Sequence, residues 1–556
     1  MTPRSTRLSV PLVVPALLGM AVLVPGHPDP THAAGSRNNR MSAIVQSSSL
    51  GRAASLVREV GGRVTHDLGI IDAVAAELTP AQMEALDVRG GSVRIYGNDD
   101  VKVAGGSIYK NSWYPTVIGA SRLHQQGITG AGVTVALLDT GYCGASYPEK
   151  VDTHRRNRMV AQYNAMTGRA GSLPDDKYGH GTHVASVIMG SQKADDGSDT
   201  WLGVAPDASL VVVRAFDDTG SATYASVIRG LNWILDNRAR HKIRVVNCSF
   251  SAPTRSRYWD DPIDQAVMKL WQAGIVVVVS AGNTGPDPMT VGVPGNVPYV
   301  ITVGAMTDNY TPSDPKDDKL CSFSSAGPTT EGFVKPEILA PGGHILGIMQ
   351  DGDFLATKYN QYLAANRWEF TMSGTSQAAA VVSGVVALML QDDPTLTPDQ
   401  VKFRLMNTAG PFLKKDGGPG KKGPELAYSV FQQGAGVVNA YDAVTGNRYD
   451  VANLGLDIKK DVAGTEHYGG PAHQEPHDGD YYVLGMPAYD WNGNLAKGGG
   501  YVWSNAYVWS NGYVWSNAYV WSNGYVWSNG SVWTNAHVFG GFLTETASTN
   551  AWVRQE

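Results

Sequence analysis

Ser376 opens an almost unbroken small and apolar run, Ala378 to Leu390, within Gly374-Thr375-Ser376-Gln377-Ala378. The run predicts a buried helix with a hydroxyl at its N-terminal end. A helix N-terminus directs unpaired N–H groups and a positive dipole end outward. A serine there can act as a nucleophile, with nearby N–H groups steadying developing negative charge. Serine is also a common helix cap, so this motif does not stand by itself. His180-Gly181-Thr182-His183-Val184-Ala185-Ser186 places a histidine at another helix start, where its imidazole can face a cleft. As a metal pair, His180 and His183 lack the His-x-x-x-His spacing and the accompanying Glu. Asp139, in Asp139-Thr140-Gly141, follows the apolar run Val133 to Leu138. A carboxylate there can be held partly desolvated, although aspartate is also ordinary in strand-end turns. Asn283, in Ser280-Ala281-Gly282-Asn283, ends another apolar run. Its amide is a suitable donor to an oxyanion, and Gly-Asn is equally common turn chemistry.

These residues need elements to hold them. Val133–Leu138, Leu210–Ala215, Val245–Cys248, Ile275–Ser280 and Tyr299–Val303 are apolar runs without alternation, as strands buried on both faces require. Helical patterns separate them over His180–Met189, Tyr224–Asn237, Ile263–Gln272 and the stretch after Ser376. Alternating strands and helices imply an α/β fold with a mainly parallel sheet and helices on both faces. Such sheets place ligands at the C-terminal strand ends, where Asp139 and Asn283 stand. Residues 41–103 read separately as β-α-β-β-α-β, a ferredoxin-like α+β order. There Thr79-Pro80-Ala81-Gln82 opens the second helix with a cap, a first-turn proline and a glutamine.

In the chain order Asp139, His180, Asn283, Ser376, the motifs resemble those of the subtilisin-like serine proteases, or subtilases. The resemblance spans roughly Gly105 to Val444. It includes Gly203-Val204-Ala205-Pro206, the Val246-Asn247-Cys248-Ser249 strand and Lys335-Pro336-Glu337-Ile338-Leu339-Ala340-Pro341-Gly342. It implies a three-layer subtilisin-like domain in which Ser376 attacks a peptide carbonyl and His180 moves the proton. Asp139 would orient His180, and Asn283 with the Ser376 N–H would bind the oxyanion. Ser249, Phe250 and Ser251 would form one wall of the primary pocket, and Ser280, Ala281 and Gly282 the other. Gly292 would be its floor, leaving room for bulky apolar or aromatic side chains. Ser221, Ala222 and Thr223 would be the edge that pairs with an extended substrate. The 41–103 unit is similar to the family's inhibitor-type propeptide. A structural calcium ion is expected, with Asp195, Asp196 and Asp199 as its candidate ligands. One departure stands close to the nucleophile: Ala380 occupies a position where the family usually has proline.

The 556 residues are too many for one ordinary domain, and the net charge of −6 gives no hint of nucleic-acid binding. Arg4 and Arg7 precede an apolar run, Leu8 to Val24, and Thr31-His32-Ala33-Ala34 offers a cleavage site. That is a signal-peptide pattern, so the protein is expected to be secreted. Its 3 cysteines are too few and too odd in number for disulfides to be the main staple. Residues 1–34 therefore read as signal peptide, 35–108 as propeptide and 109–446 as catalytic domain. Residues 447–500 read as linker or loosely folded. A hexad, Tyr501-Val502-Trp503-Ser504-Asn505-Ala506, recurs through 501–542, and 543–556 is a C-terminal tail. An even period would keep Tyr, Trp and Asn on one face of an extended strand. The Asn-Gly pairs allow a meander of short strands, a solenoid is the rival, and an unfolded expansion is a third reading. Together these expectations describe a secreted serine endopeptidase made as a proenzyme, acting on proteins or peptides and inhibited by its own propeptide. The alternative is an adhesion or binding protein whose Trp repeat contacts a surface or polysaccharide.

Overall fold

The computed structural model describes residues 40–68, 72–88, 93–97, 113–143, 150–193, 200–312, 314–414, 426–474, 481–483, 546–549 and 553. Residues 1–34, read as a signal peptide, the Asp195, Asp196 and Asp199 loop and the hexad repeat lie outside these residues. Two compact units are present, Met1–Ser107 and Ile108–Glu556.

The first unit runs β1 (Met41–Gln46), α1 (Leu50–Glu59), β2 (Arg63–Leu68), β3 (Ala73–Leu78), α2 (Pro80–Asp87) and β4 (Arg94–Gly97). Its sheet has the order β2-β3-β1-β4, antiparallel throughout. Thr79 caps α2 in a capping box closed by Gln82, which satisfies two orphan donors reciprocally. Val45, Leu56, Val57, Val74, Leu78 and Leu86 are among the side chains of its core.

The second unit is built on a larger sheet. Its parallel strands are β5 (Thr134–Asp139), β6 (Met159–Asn164), β7 (Ser209–Arg214), β9 (Ile243–Cys248), β11 (Val276–Ser280), β12 (Ile301–Thr307) and β13 (Ile338–Pro341). They lie in the order β13-β12-β11-β9-β5-β7-β6. Short antiparallel strands at Lys319–Leu320 and Arg169–Ala170 pair with β12 and β6. β5, β11 and β12 are buried at every residue, which is why they read as apolar runs without alternation. A separate small sheet has β8 (Ser221–Thr223) and β10 (Phe250–Ser251) on either side of β14 (Thr546–Thr549).

The helices include α3 (His180–Met189), α4 (Tyr224–Asn237), α5 (Pro262–Gln272), α6 (Thr375–Asp392), α7 (Pro398–Thr408) and α8 (Ile458–Val462). α6 is buried from Thr375 to Leu390 and packs on α3, β9, β11 and β12. A helix apolar on all sides belongs in the middle of a core, and that is where this one lies.

One expectation needs correction. Residues 447–474, read as linker or loosely folded, carry α8 and a packed segment around it. Asp461 is buried there and accepts hydrogen bonds from Tyr258 (2.7 Å) and Tyr299 (2.9 Å), while His467 contacts its other oxygen at 2.7 Å. The polar composition that suggested a linker instead serves a buried hydrogen-bonded cluster.

Candidate active site

Asp139 ends β5, and His180 begins α3. The start of α3 is set by Asp176. Its Oδ1 accepts from the N–H groups of Tyr178 (3.1 Å) and Gly179 (2.9 Å), and its Oδ2 from Thr182 N and Oγ1, both at 2.9 Å. These bonds satisfy orphan donors of the first turn. Gly179 supplies the left-handed entry, at φ +96°. Gly181 then brings the helix against the loop after β5: a Cβ there would lie 2.4 Å from Gly141 O and 3.2 Å from Asp139 Cβ. The result is a buried pair in which His180 Nδ1 donates to Asp139 Oδ1 at 2.7 Å. The Thr140 N–H donates to the same oxygen at 2.7 Å. With Nδ1 holding the proton, His180 Nε2 carries the lone pair, and it has no hydrogen-bond partner among the described residues.

Ser376 lies in the first turn of α6. Its hydroxyl donates to Ser249 O (3.1 Å), and the Ser249 hydroxyl donates back to Ser376 O (3.0 Å). Asn247 Nδ2 donates to Ser249 Oγ, and Ser383 Oγ to Asn247 Oδ1, each at 2.8 Å. The turn carrying Ser376 is thus tied to β9 by a fully buried chain of side chains. Ala380 is buried one turn further along. In an α-helix its N–H is directed at the Ser376 carbonyl, a bond that proline would remove.

The first turns of α3 and α6 are joined by Gln377, whose Nε2 donates to His183 Nδ1 at 3.4 Å. His183 Nε2 donates to Phe370 O at 3.1 Å. Burial pushes the His183 pKa down to about 3, so the ring is neutral. With both nitrogens engaged, His183 is a packing residue and not a metal ligand.

Asn283 is oriented by Thr375. Its Oδ1 accepts from Thr375 N (3.0 Å) and Thr375 Oγ1 (2.8 Å), while Gly282 N donates to Thr375 Oγ1 at 3.2 Å. Those bonds aim the Nδ2 group toward Gly374, where an added Cβ would lie 3.3 Å away. The missing side chain at Gly374 leaves room for an atom in front of both Asn283 and Ser376.

The residues assigned to the groove come together around these groups. Ser280 Oγ donates to Phe250 O at 3.2 Å, linking the two expected walls. A Cβ at Gly282, at φ +109°, would lie 3.7 Å from Ser251 Oγ; one at Gly292 would lie 3.2 Å from Ser251 Cβ. The Gly292 position would also meet Ala252 O at 2.6 Å. Glycine is therefore demanded there by the Ala252–Val293 backbone bridge as well as by any need for pocket space. Ala281 is buried between them, and Ser221, Ala222 and Thr223 form β8.

Asp176 and Thr375 were not singled out from the sequence. Asp176 stands four residues before His180, outside the usual cap spacing, so no pattern flagged it. Asp353, buried near Asp176, is also informative. Its Oδ2 accepts from Gln350 N at 3.0 Å, and burial together with the Asp176 charge pushes its pKa up to about 7. An unfolded chain gives up this proton near pH 4, whereas the fold keeps it to about pH 7. Native stability from this group is lost as pH rises across that window. Asp353→Asn removes the titration, so the Tm of the variant relative to the parent should climb between pH 4 and pH 7 and then level off. A constant difference across that range in calorimetry would contradict this assignment.

Asp152, His154 and Asp207 bring ligand atoms within 4.8 Å of one another. Arg156 Nε donates to Asp152 Oδ2 at 2.6 Å, and Thr153 Oγ1 to Asp207 Oδ1 at 2.6 Å. The group reads as an ion-paired turn.

The model of a family described as the subtilase family matches residues 130–441. Serine protease AprX of Bacillus subtilis (strain 168) is 35% identical over 398 residues, which is 70% of this chain and 83% of that protein. Subtilisin E of the same strain is 32% identical over 358 residues, 64% of this chain and 80% of its own. The crystal structure of fervidolysin from Fervidobacterium pennivorans, described as a keratinolytic enzyme related to subtilisin, aligns with a TM-score of 0.46 at 22% identity, covering 82% of this chain and 68% of that one.

Proposed function

Since the chain belongs to the subtilase family of serine endopeptidases, we propose that it cleaves peptide bonds through an acyl-enzyme on Ser376. The observation that carries this reading is the buried Asp139–His180 hydrogen bond, held beside the helix turn that bears Ser376. Ser376 Oγ attacks the carbonyl carbon while His180 Nε2 takes its proton. Asn283 Nδ2 and the Ser376 N–H receive the negative charge that develops on the carbonyl oxygen. The tetrahedral intermediate collapses as His180 gives the proton to the leaving amine. Water, deprotonated by the same imidazole, then releases the acyl group and restores Ser376. Asp139 keeps the proton on Nδ1 throughout and stabilises the imidazolium.

The finer parts of the proposal are export under the 1–34 segment, synthesis as a precursor inhibited by residues 35–108, and preference for bulky apolar residues before the scissile bond. Support for the last comes from Gly292 and the absence of an acidic residue among the assigned walls. A series of chromogenic peptides with Phe, Leu, Arg or Glu at that position tests it. The Phe and Leu substrates should have the highest kcat/KM, and a preference for Arg would overturn the assignment. Terminal sequencing of the secreted protein tests both processing steps. A structural calcium ion on Asp195, Asp196 and Asp199 belongs to the same proposal and requires a lower Tm after chelation. A surface or polysaccharide contact of the 501–542 repeat is subsidiary to catalysis. Deleting everything after Gly500 should abolish adsorption and leave kcat intact.

Asn283→Ala is expected to lower kcat by about 100- to 1,000-fold with little change in KM, a magnitude measured in subtilisin itself. Steady-state kinetics on one chromogenic peptide checks it. A change confined to KM would mean that Asn283 binds the ground state instead.

A further inference from the structure

β8, read as the edge that pairs with an extended substrate, and β10, read as part of the pocket wall, already have a strand between them. β14 pairs antiparallel with β8, with Thr546 opposite Thr223, Ala547 opposite Ala222 and Ser548 opposite Ser221. It pairs antiparallel with β10 as well, with Thr549 opposite Phe250 and Ser548 opposite Ser251. Without β14, β8 and β10 would each present an unpaired main-chain edge, the kind of edge that captures an extended peptide.

The direction of β14 is informative. Its last residue, Thr549, stands opposite Phe250, one residue from Ser249. The Ser249 carbonyl accepts the hydrogen bond of the Ser376 hydroxyl at 3.1 Å. The tail therefore runs along the groove with its C-terminal end toward the nucleophile. A substrate cut on the C-terminal side of its paired residues runs the same way. The local sequence, Thr546-Ala547-Ser548-Thr549-Asn550-Ala551, favours an extended backbone through its β-branched residues. It offers no bulky apolar residue for the pocket floored by Gly292. Beyond it, Val553 is half-buried against the main apolar core.

We propose that Thr546–Thr549 is an intramolecular competitive ligand of the substrate groove, held by main-chain pairing, which a peptide must displace before it can be cut. This rests on the reading of β8 as the substrate-pairing edge, of β10 as part of the pocket wall and of Ser376 as the nucleophile. Regulation of this kind is separate from inhibition by the N-terminal unit, because it persists in a mature enzyme that keeps its C-terminus.

The test compares the mature full-length enzyme with a variant ending at Glu545, both titrated for active sites with a fluorophosphonate. A tethered ligand acts at a local concentration around the millimolar range. Truncation should accordingly lower KM for a short chromogenic peptide by about three- to tenfold at constant kcat. Ser548→Pro in the full chain removes a strand N–H and should reproduce the low KM. A synthetic peptide spanning residues 544–553 should inhibit the truncated enzyme competitively. Equal KM values in all three proteins, with no inhibition by the peptide, would overturn the proposal. Cleavage within 546–551, seen by intact mass, would also overturn it by making the segment a substrate. If neither protein titrates with fluorophosphonate, the protease reading fails first, and the two failures are thereby told apart.

Discussion

Replacing Ser376 with alanine is expected to lower kcat by about 10⁶-fold while leaving the fold and KM nearly unchanged. The magnitude is that measured in subtilisin, a relative of this chain. The variant loses the hydrogen bond from the Ser376 hydroxyl to Ser249 O at 3.1 Å, a neutral contact of modest worth. The return bond from the Ser249 hydroxyl goes to the Ser376 backbone and survives. The Asn247–Ser249–Ser383 chain that braces the turn also survives. Activity should nevertheless collapse, since the neighbouring Thr375 hydroxyl at the mouth of α6 donates to Asn283 Oδ1 and is no substitute nucleophile. What remains is the stabilisation offered by Asn283 and the backbone, roughly 10³- to 10⁴-fold over water. Single-turnover kinetics with a matched Tm measurement checks this. A loss under 100-fold at unchanged Tm would remove Ser376 from its role. By the same logic, the alanine variant should accumulate as an unprocessed precursor if maturation is self-catalysed.

Asp139→Asn should cost about 10⁴-fold in kcat, again with KM and Tm close to the parent. The physical cause is the lost charge. Asp139 Oδ1 accepts from His180 Nδ1–H at 2.7 Å, which leaves the lone pair on Nε2. The same oxygen accepts the Thr140 N–H at 2.7 Å, so an asparagine will keep its carbonyl oxygen on both donors and put its NH₂ group in the place of Oδ2. The ring then keeps its orientation but loses the carboxylate charge beside it. The imidazolium that forms when His180 takes the Ser376 proton is no longer stabilised by a counter-charge. Steady-state kinetics at saturating peptide separates this outcome from a binding defect. A variant with near-parental kcat would show that Asp139 only packs against His180.

Much of the fold was legible because the large sheet is parallel and buried on both faces. Val133–Leu138 and Ile275–Ser280 could be read as strands for that reason, and they appear as Thr134–Asp139 and Val276–Ser280. Thr79-Pro80-Ala81-Gln82 was legible because capping is a local interaction, complete within four residues. The site's four chemical groups stood out because each follows or opens such an element. The residues that hold them did not. Asp176 acts through backbone N–H groups spread from Tyr178 to Thr182, and Thr375 bonds Asn283 across 92 residues of sequence. Asp461 was hidden in a polar segment because its partners, Tyr258 and Tyr299, are distant in the chain. β14 was invisible for a related reason. A four-residue polar strand has no periodicity of its own, and its hydrogen bonds come from two other edges. Ala380 was noticed as a departure, and the structure adds that Ser376 O, the carbonyl its N–H would address, is also bonded by Ser249.

The site of covalent modification tests the role of Ser376 directly. Mature enzyme should be inactivated with a fluorophosphonate and the adduct mapped by peptide mass spectrometry. One adduct is expected, on Ser376, with peptidase activity falling in proportion to labelling and no labelling in Ser376→Ala. An adduct on another residue, or full activity in a stoichiometrically labelled protein, would contradict it.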